Sequence, residues 1–159
     1  MANPTIKLRR LKATDTDLAS ICSELNAADW EASIKDFTEA ALRSFLSDQE
    51  RFYLIGLVGG VIAGAIHGYV YPHPTGIKYM WIDEVDTMAN YRRLGVAKTM
   101  LTEVFEIARE HGCDEAWLGT EHDNAAAKAL YLGLGPTEIE NGPTYIWKIP
   151  RPQNSEIQD

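Results

Sequence analysis

The chain has few cysteines: two among 159 residues, Cys22 and Cys113, in no Cys-x-x-Cys pair and no His/Cys ligand spacing. Neither a disulfide framework nor a structural zinc site is suggested, and Cys22, on the apolar face of a predicted helix, is expected in the core. Long hydrophobic runs are also missing. Nothing approaches the ~18 apolar residues of a membrane span, and residues 1–10 lack the apolar stretch of a signal peptide, so the expectation is a cytoplasmic protein with no membrane partner. Positive charge is scarce: 15 Lys and Arg stand against 23 Asp and Glu, a net charge of −8. That balance argues against nucleic acid, whose phosphates demand basic patches, and suits a cationic substrate drawn in by a negative field. Internal repeats are lacking too. With 45% hydrophobic residues the chain can bury a substantial core, and the expected organisation is one domain over residues 1–150 followed by a polar, proline-punctuated tail over 151–159.

The patterning that is present gives a coarse map. Alternation predicts a short strand from Thr5 to Leu11; Thr14 and Asp17 then open a helix whose buried stripe is Leu18, Ile21, Cys22 and Leu25. Thr38 opens a second helix with Leu42, Phe45 and Leu46 inward. Two β-branched and aromatic runs, Arg51 to Val58 and Val61 to Tyr71, flank Gly59-Gly60, which reads as a hairpin turn. A strand from Tyr79 to Thr87 precedes a helix reaching His111, with Ala97, Met100, Leu101, Val104 and Ala108 on one face. A strand near Glu115 to Glu121, a helix from Asn124 to Leu132 and a final hairpin turning at Asn141-Gly142 complete the prediction. Strands alternating with helices, with hairpins at both ends, indicate a mixed α/β sheet.

Two features carry chemistry. The stretch Arg92-Arg93-Leu94-Gly95-Val96-Ala97 is a basic, glycine-containing turn entering an amphipathic helix, where unpaired N–H groups and the positive end of the helix dipole offer a seat to a pyrophosphate. Lys98 stands close enough to meet a ligand's phosphate, or is a solvated helix residue. The second feature is Trp81-Ile82-Asp83-Glu84-Val85-Asp86-Thr87. Carboxylates in a central strand are costly unless they face a cleft, and alternation puts Glu84 and Asp86 on one face and Asp83 on the other. An exposed sheet edge or a structural ion pair would also accommodate them. Glu121 is a further acid at the end of the strand Trp117 to Thr120. Trp30, near the loop between the first two helices, is a candidate substrate wall, and His67 and His73 either reach an acceptor or have core or surface roles.

Arg92 through Ala97, together with Asn124, Ala127 and Tyr131 before a glycine-terminated turn, resembles the GNAT superfamily of N-acetyltransferases over about residues 50 to 149. The resemblance implies a mixed central sheet of about six or seven strands flanked by about four helices, acetyl-coenzyme A as cofactor, and no metal. It implies coenzyme contacts from Arg92, Arg93, Leu94, Gly95, Val96, Ala97, Lys98 and Asn124, an oxyanion donor in the backbone N–H of Val85 or Thr87, and Tyr131 as the acid for the leaving thiolate. Within the superfamily, Ala65 to Pro72, Tyr79 to Val85, Tyr91 to Ala97 and Ala129 to Gly135 are most similar to the type I aminoglycoside 3-N-acetyltransferases. That likeness implies Glu84 and Glu121 as catalytic carboxylates and a polycationic acceptor; the residues expected to meet it are Glu84, Asp86, Glu121, His122 and Asp123, with Trp30 as the wall named above. The sequence departs from the type at His122, at Asp123-Asn124 and at Pro136. A polyamine, a protein N-terminus or a non-catalytic coenzyme A module are the alternatives. A homodimer is carried as an expectation that no motif specifies.

Overall fold

The computed structural model describes residues 3–30, 36–146 and 148. Ten elements follow in chain order: β1 (Ile6–Arg10), α1 (Leu18–Ala27), α2 (Glu39–Leu46), β2 (Arg51–Val58), β3 (Val61–Pro72), β4 (Lys78–Thr87), a short 3-10 turn (Ala89–Tyr91), α3 (Val96–Glu110), β5 (Glu115–Leu118) and α4 (Ala125–Gly133). The five strands form one sheet in sequence order; β1 to β4 are antiparallel and β5 runs parallel to β4. A parallel neighbour requires a crossover, which α3 supplies. This is the mixed α/β arrangement expected for the GNAT fold.

Each face of the sheet has its own apolar layer, because β2 and β3 are buried on both sides. On one face Phe52, Leu54, Ile66, Val70, Met80 and Ile82 receive Val96, Met100, Leu101, Val104 and Ile107 of α3. On the other, Leu18, Ile21, Cys22 and Leu25 of α1 and Leu42 of α2 cover Tyr53, Ile55 and Ala65. Fully burying one such side chain contributes about 1.5–3 kcal/mol, so each layer is substantial. Gly64 lets α3 approach: a Cβ there would sit 2.8 Å from Met100 Cε and from Val96 Cγ1.

The helix starts behave differently from one another. Thr38 caps α2, its hydroxyl accepting from the Ala41 N–H at 3.2 Å. Asp17 occupies the corresponding place before α1 but makes no cap bond. Its carboxylate accepts two bonds from the Arg9 guanidinium, each at 2.7 Å, because a charged bidentate partner outcompetes a main-chain N–H.

Two sequence expectations need correction. The strand predicted near Glu115 to Glu121 stops at Leu118, and the expected final hairpin turning at Asn141-Gly142 is not formed, since among the described residues 136–146 form no strand; the described sheet has five strands instead of six or seven. Pro136 and Pro143 each remove a main-chain donor from that segment, and Ile139 and Ile146 are exposed instead of packed.

Candidate active site

The cradle is built by backbone conformation. After the 3-10 turn, Arg93 and Gly95 both adopt the left-handed region, at φ 62 and 86. Gly95 is the N-cap of α3, and the first helical bond runs from the Thr99 N–H to the Gly95 carbonyl at 2.9 Å. The amides of Val96, Ala97 and Lys98 therefore stand ahead of the helical ladder. Nothing lies within 4 Å of where a Gly95 Cβ would be. Exposed Arg92, Arg93 and Lys98 add positive charge around this open helix end, while Leu94 and Val96 turn inward to the core. These residues are of the kind that can hold a diphosphate: free amides at the positive end of a helix dipole, open space at Gly95 and cations nearby in sequence.

Upstream of the cradle the sheet opens. β4 and β5 pair from Tyr79 opposite Glu115 to Ile82 opposite Leu118, and β5 then ends. β4 continues to Thr87 beyond its last pair with β5, in register there with β3. Val85 and Thr87 lie on this stretch, with Val85 packed toward α3.

The acids flank the same opening. Glu84 pairs in register with His67 and Asp86 with Ala65, and the register slips between His67 and Gly68. Gly68 then faces Ile82, leaving Asp83 as the extra residue of a β-bulge. The expected alternation is therefore broken. Asp83 does not turn to the opposite face: its Oδ2 lies 3.8 Å from His67 Nε2, as does Glu84 Oε2. Gly68 is required here, since a Cβ would meet the Trp81 carbonyl at 2.1 Å.

Electrostatics tie the cluster together. Burial pushes the Glu84 carboxyl above its ordinary value, with Asp86 and Asp83 adding repulsion. Burial likewise raises the phenols of Tyr131 and Tyr53, and Asp86 contributes to both. Tyr131, on α4, packs its ring on the α3-side core. Asp86 thus bears on both Glu84 and Tyr131. Asn124 caps α4 by accepting from the Ala127 N–H at 3.1 Å, which anchors the helix carrying Tyr131.

The remaining expected site residues have the following places. Glu121, His122 and Asp123 lie beyond the end of β5, exposed on the turn before α4; the Glu121 carbonyl accepts from the Asn124 N–H and the His122 carbonyl from Lys128 Nζ. Trp30 is not a cleft wall. It is 8% exposed, packs with α1, and its indole N–H donates to the Leu25 carbonyl at 2.8 Å.

One surface had no counterpart in the sequence expectations. Tyr69, Tyr71, Tyr79, Trp81 and Trp117 line a shallow cleft of about 450 Å³ on the face that also carries His67 and Glu84. The Tyr71 and Tyr79 rings are stacked at 6.4 Å, and Tyr79 meets Trp117 edge-on at 6.0 Å. Period-two spacing on paired strands was the signal that could have found them.

A model of the acetyltransferase (GNAT) family matches residues 19–135. N-acetyltransferase 8B of Rattus norvegicus is 26% identical over 109 residues, which are 67% of this chain and 49% of that protein. The chain spans about half the length of the curated relatives it matches. Among solved structures, an aminoglycoside acetyltransferase from an uncultured soil metagenomic sample, in complex with sisomicin, superposes with a TM-score of 0.78 at 18% identity, covering 91% of this chain and 97% of that one. An enzyme bound to a bisubstrate analogue of coenzyme A and acetylneamine gives 0.73 at 18% identity, covering 91% and 99%. At such identities the likeness is one of fold.

Proposed function

The chain belongs to the acetyltransferase (GNAT) family, and from that premise we propose that it transfers the acetyl group of acetyl-coenzyme A to an amino group of an aminoglycoside. The 3-amino group of 2-deoxystreptamine is the position implied by the resemblance of β4, the cradle and α4 to the type I enzymes. One observation carries the acceptor class. Three carboxylates, Asp83, Glu84 and Asp86, border the opening of the sheet, and a row of aromatic rings continues from them along the same face. Carboxylates bind ammonium groups, and aromatic faces take both cations and the apolar faces of sugar rings. A linear polyamine has cations for the acids and the rings but no apolar sugar face to lay on the aromatic row.

Acetyl-coenzyme A, when bound, supplies an activated thioester. The amides of Val96, Ala97 and Lys98 and the cations Arg92 and Arg93 hold its diphosphate end. Glu84 binds the acceptor ammonium and takes its proton, releasing the neutral amine; a carboxyl held above its ordinary value by burial is a stronger base than an exposed one. A main-chain N–H of Val85 or Thr87, on β4 beyond its last pair with β5, donates to the developing oxyanion. The Tyr131 hydroxyl, kept protonated by burial, donates to the departing sulfur.

The test is a panel of acceptors with acetyl-coenzyme A and thiol-release detection: gentamicin, kanamycin, spermidine and an N-terminal peptide. Aminoglycoside turnover with one acetyl group placed on the 3-nitrogen by mass spectrometry and NMR is the expected result. Efficient acetylation of spermidine or the peptide, with no aminoglycoside product, overturns the reading.

A further inference from the structure

We propose that His67 is a positioning residue of the acceptor site, whose Nε2–H is aimed from β3 at the Asp83 and Glu84 carboxylates of β4 and fixes the Glu84 carboxylate for proton transfer. The inference deepens the acetyl transfer reading and rests on it.

The geometry begins with the bulge. In a regular antiparallel pair one residue faces His67; the slip between His67 and Gly68 makes it two. A single imidazole therefore addresses two consecutive acids, with Nε2 at 3.8 Å from Asp83 Oδ2 and from Glu84 Oε2. The ring cannot easily turn away. Phe45 of α2 lies against it at 5.8 Å and Tyr53 of β2 meets it edge-on at 5.5 Å.

Burial selects the tautomer. Among the described residues Nδ1 is inaccessible to solvent and has no hydrogen-bond partner. A proton on Nδ1 would be a buried donor with nothing to receive it, whereas a proton on Nε2 faces two acceptors. The neutral ring therefore carries its proton on Nε2. It stays neutral because burial holds its pKa below the ordinary value, against the opposing pull of Asp83.

The groups facing the ring fit that state. Asp83 and Glu84 approach from β4 and the Tyr53 phenol from β2, while Asp36 and Thr38, ahead of α2, line the same small cleft as His67. The Arg51 guanidinium lies over the Phe45 ring, at 5.4 Å from its centroid. At 3.8 Å the Nε2–carboxylate contact is longer than a hydrogen bond, and a small turn of the partly exposed Glu84 side chain closes it in the acceptor-free protein. Closing it stabilises the anionic form of Glu84 against the burial that opposes ionisation, and holds one carboxylate oxygen so that the other addresses the amine.

Three variants separate positioning from packing. His67→Phe keeps the ring and removes the donor; His67→Gln sets an amide N–H near the Nε2 position and removes the ring; His67→Asn sets it near Nδ1. If the role is positioning, His67→Phe raises the acid limb of kcat/KM for the acceptor by about one pH unit, a tenfold change in the protonation equilibrium. Acetyl-coenzyme A affinity stays unchanged, and Gln, not Asn, restores the limb. If the role is packing, activity follows thermal stability, Phe is the best replacement, and the limb does not move; that result overturns the proposal. NMR of the acceptor-free protein provides the second readout: ring nitrogen shifts must report the Nε2–H tautomer, and the Glu84 carboxyl must titrate higher in His67→Phe. An Nδ1–H tautomer, or an unmoved Glu84, overturns it too. These NMR readouts need no acceptor, so failure of the aminoglycoside reading shows separately, as absent turnover in the unsubstituted protein.

Discussion

Replacing Gly95 with leucine tests the cradle most directly, because it sets two physical effects against each other. Gly95 holds φ at +86, a region that costs a non-glycine residue about 1–2 kcal/mol. For a chain of this size about 2–4 °C of Tm accompanies each kcal/mol, so melting should fall by about 2–8 °C. The fold has room for the new side chain, since nothing lies within 4 Å of its Cβ position. That empty space is where a diphosphate must approach the amides of Val96 and Ala97. Blocking one or two charge-assisted bonds, at about 1.5–3 kcal/mol each, should weaken acetyl-coenzyme A by about tenfold or more. Gly60 supplies the control. It has φ +83, equally open surroundings and a place in the β2–β3 hairpin. Gly60→Leu therefore carries the same strain and should melt earlier with coenzyme affinity intact. Calorimetric titration and thermal melting of both variants decide the matter. A folded Gly95→Leu that binds acetyl-coenzyme A normally, or a Gly60→Leu that loses affinity equally, refutes the cradle.

Further expectations follow from the same geometry. Glu84→Gln should lower turnover by about 10²–10⁴-fold in steady-state assays while coenzyme binding persists. Because burial raises the Glu84 pKa in the folded protein, ionising it at neutral pH opposes folding; Glu84→Gln should melt no lower than the parent at pH 7, and the difference should shrink as pH falls through the carboxylate range. For the same reason the acid limb of kcat/KM should lie above the ordinary carboxylate value. Met100→Ala, removing a fully buried side chain beneath Gly64, should cost about 2–5 kcal/mol by chemical denaturation, and an unchanged midpoint would contradict the packing of α3 on the sheet.

The limits of what the sequence revealed have physical causes. The start of α3 was legible because every signal for it is local: a glycine at the turn and the helical period that follows. The capping role of Thr38 and the inward stripe of α1 were legible for the same reason. Asp17 was not, because its competitor Arg9 comes from another element and wins by charge. Trp30 was misread because a single tryptophan near a loop looks the same whether its indole faces solvent or, as here, the Leu25 carbonyl. The position of Asp83 depends on Gly68 and a neighbouring strand's carbonyl, a contact no window of sequence contains.

That last case reaches the chemistry. Strict alternation would have turned Asp83 away from Glu84 and left His67 with one acid to address. The slip at Gly68 compresses two carboxylates onto one imidazole at the place where β4 outruns β5. A residue with no side chain, packed against the Trp81 carbonyl, therefore determines how much negative charge gathers beside the opening. Gly68→Ala tests this step: a Cβ 2.1 Å from main-chain oxygen cannot be absorbed by rotamer changes, so the two strands must separate locally. Overpacking of this kind costs about 1–3 kcal/mol or more. It should displace Asp83 and Glu84 together, lowering kcat/KM for the acceptor more than it lowers acetyl-coenzyme A affinity. Equal losses on the two substrates would mean that the bulge serves the fold alone.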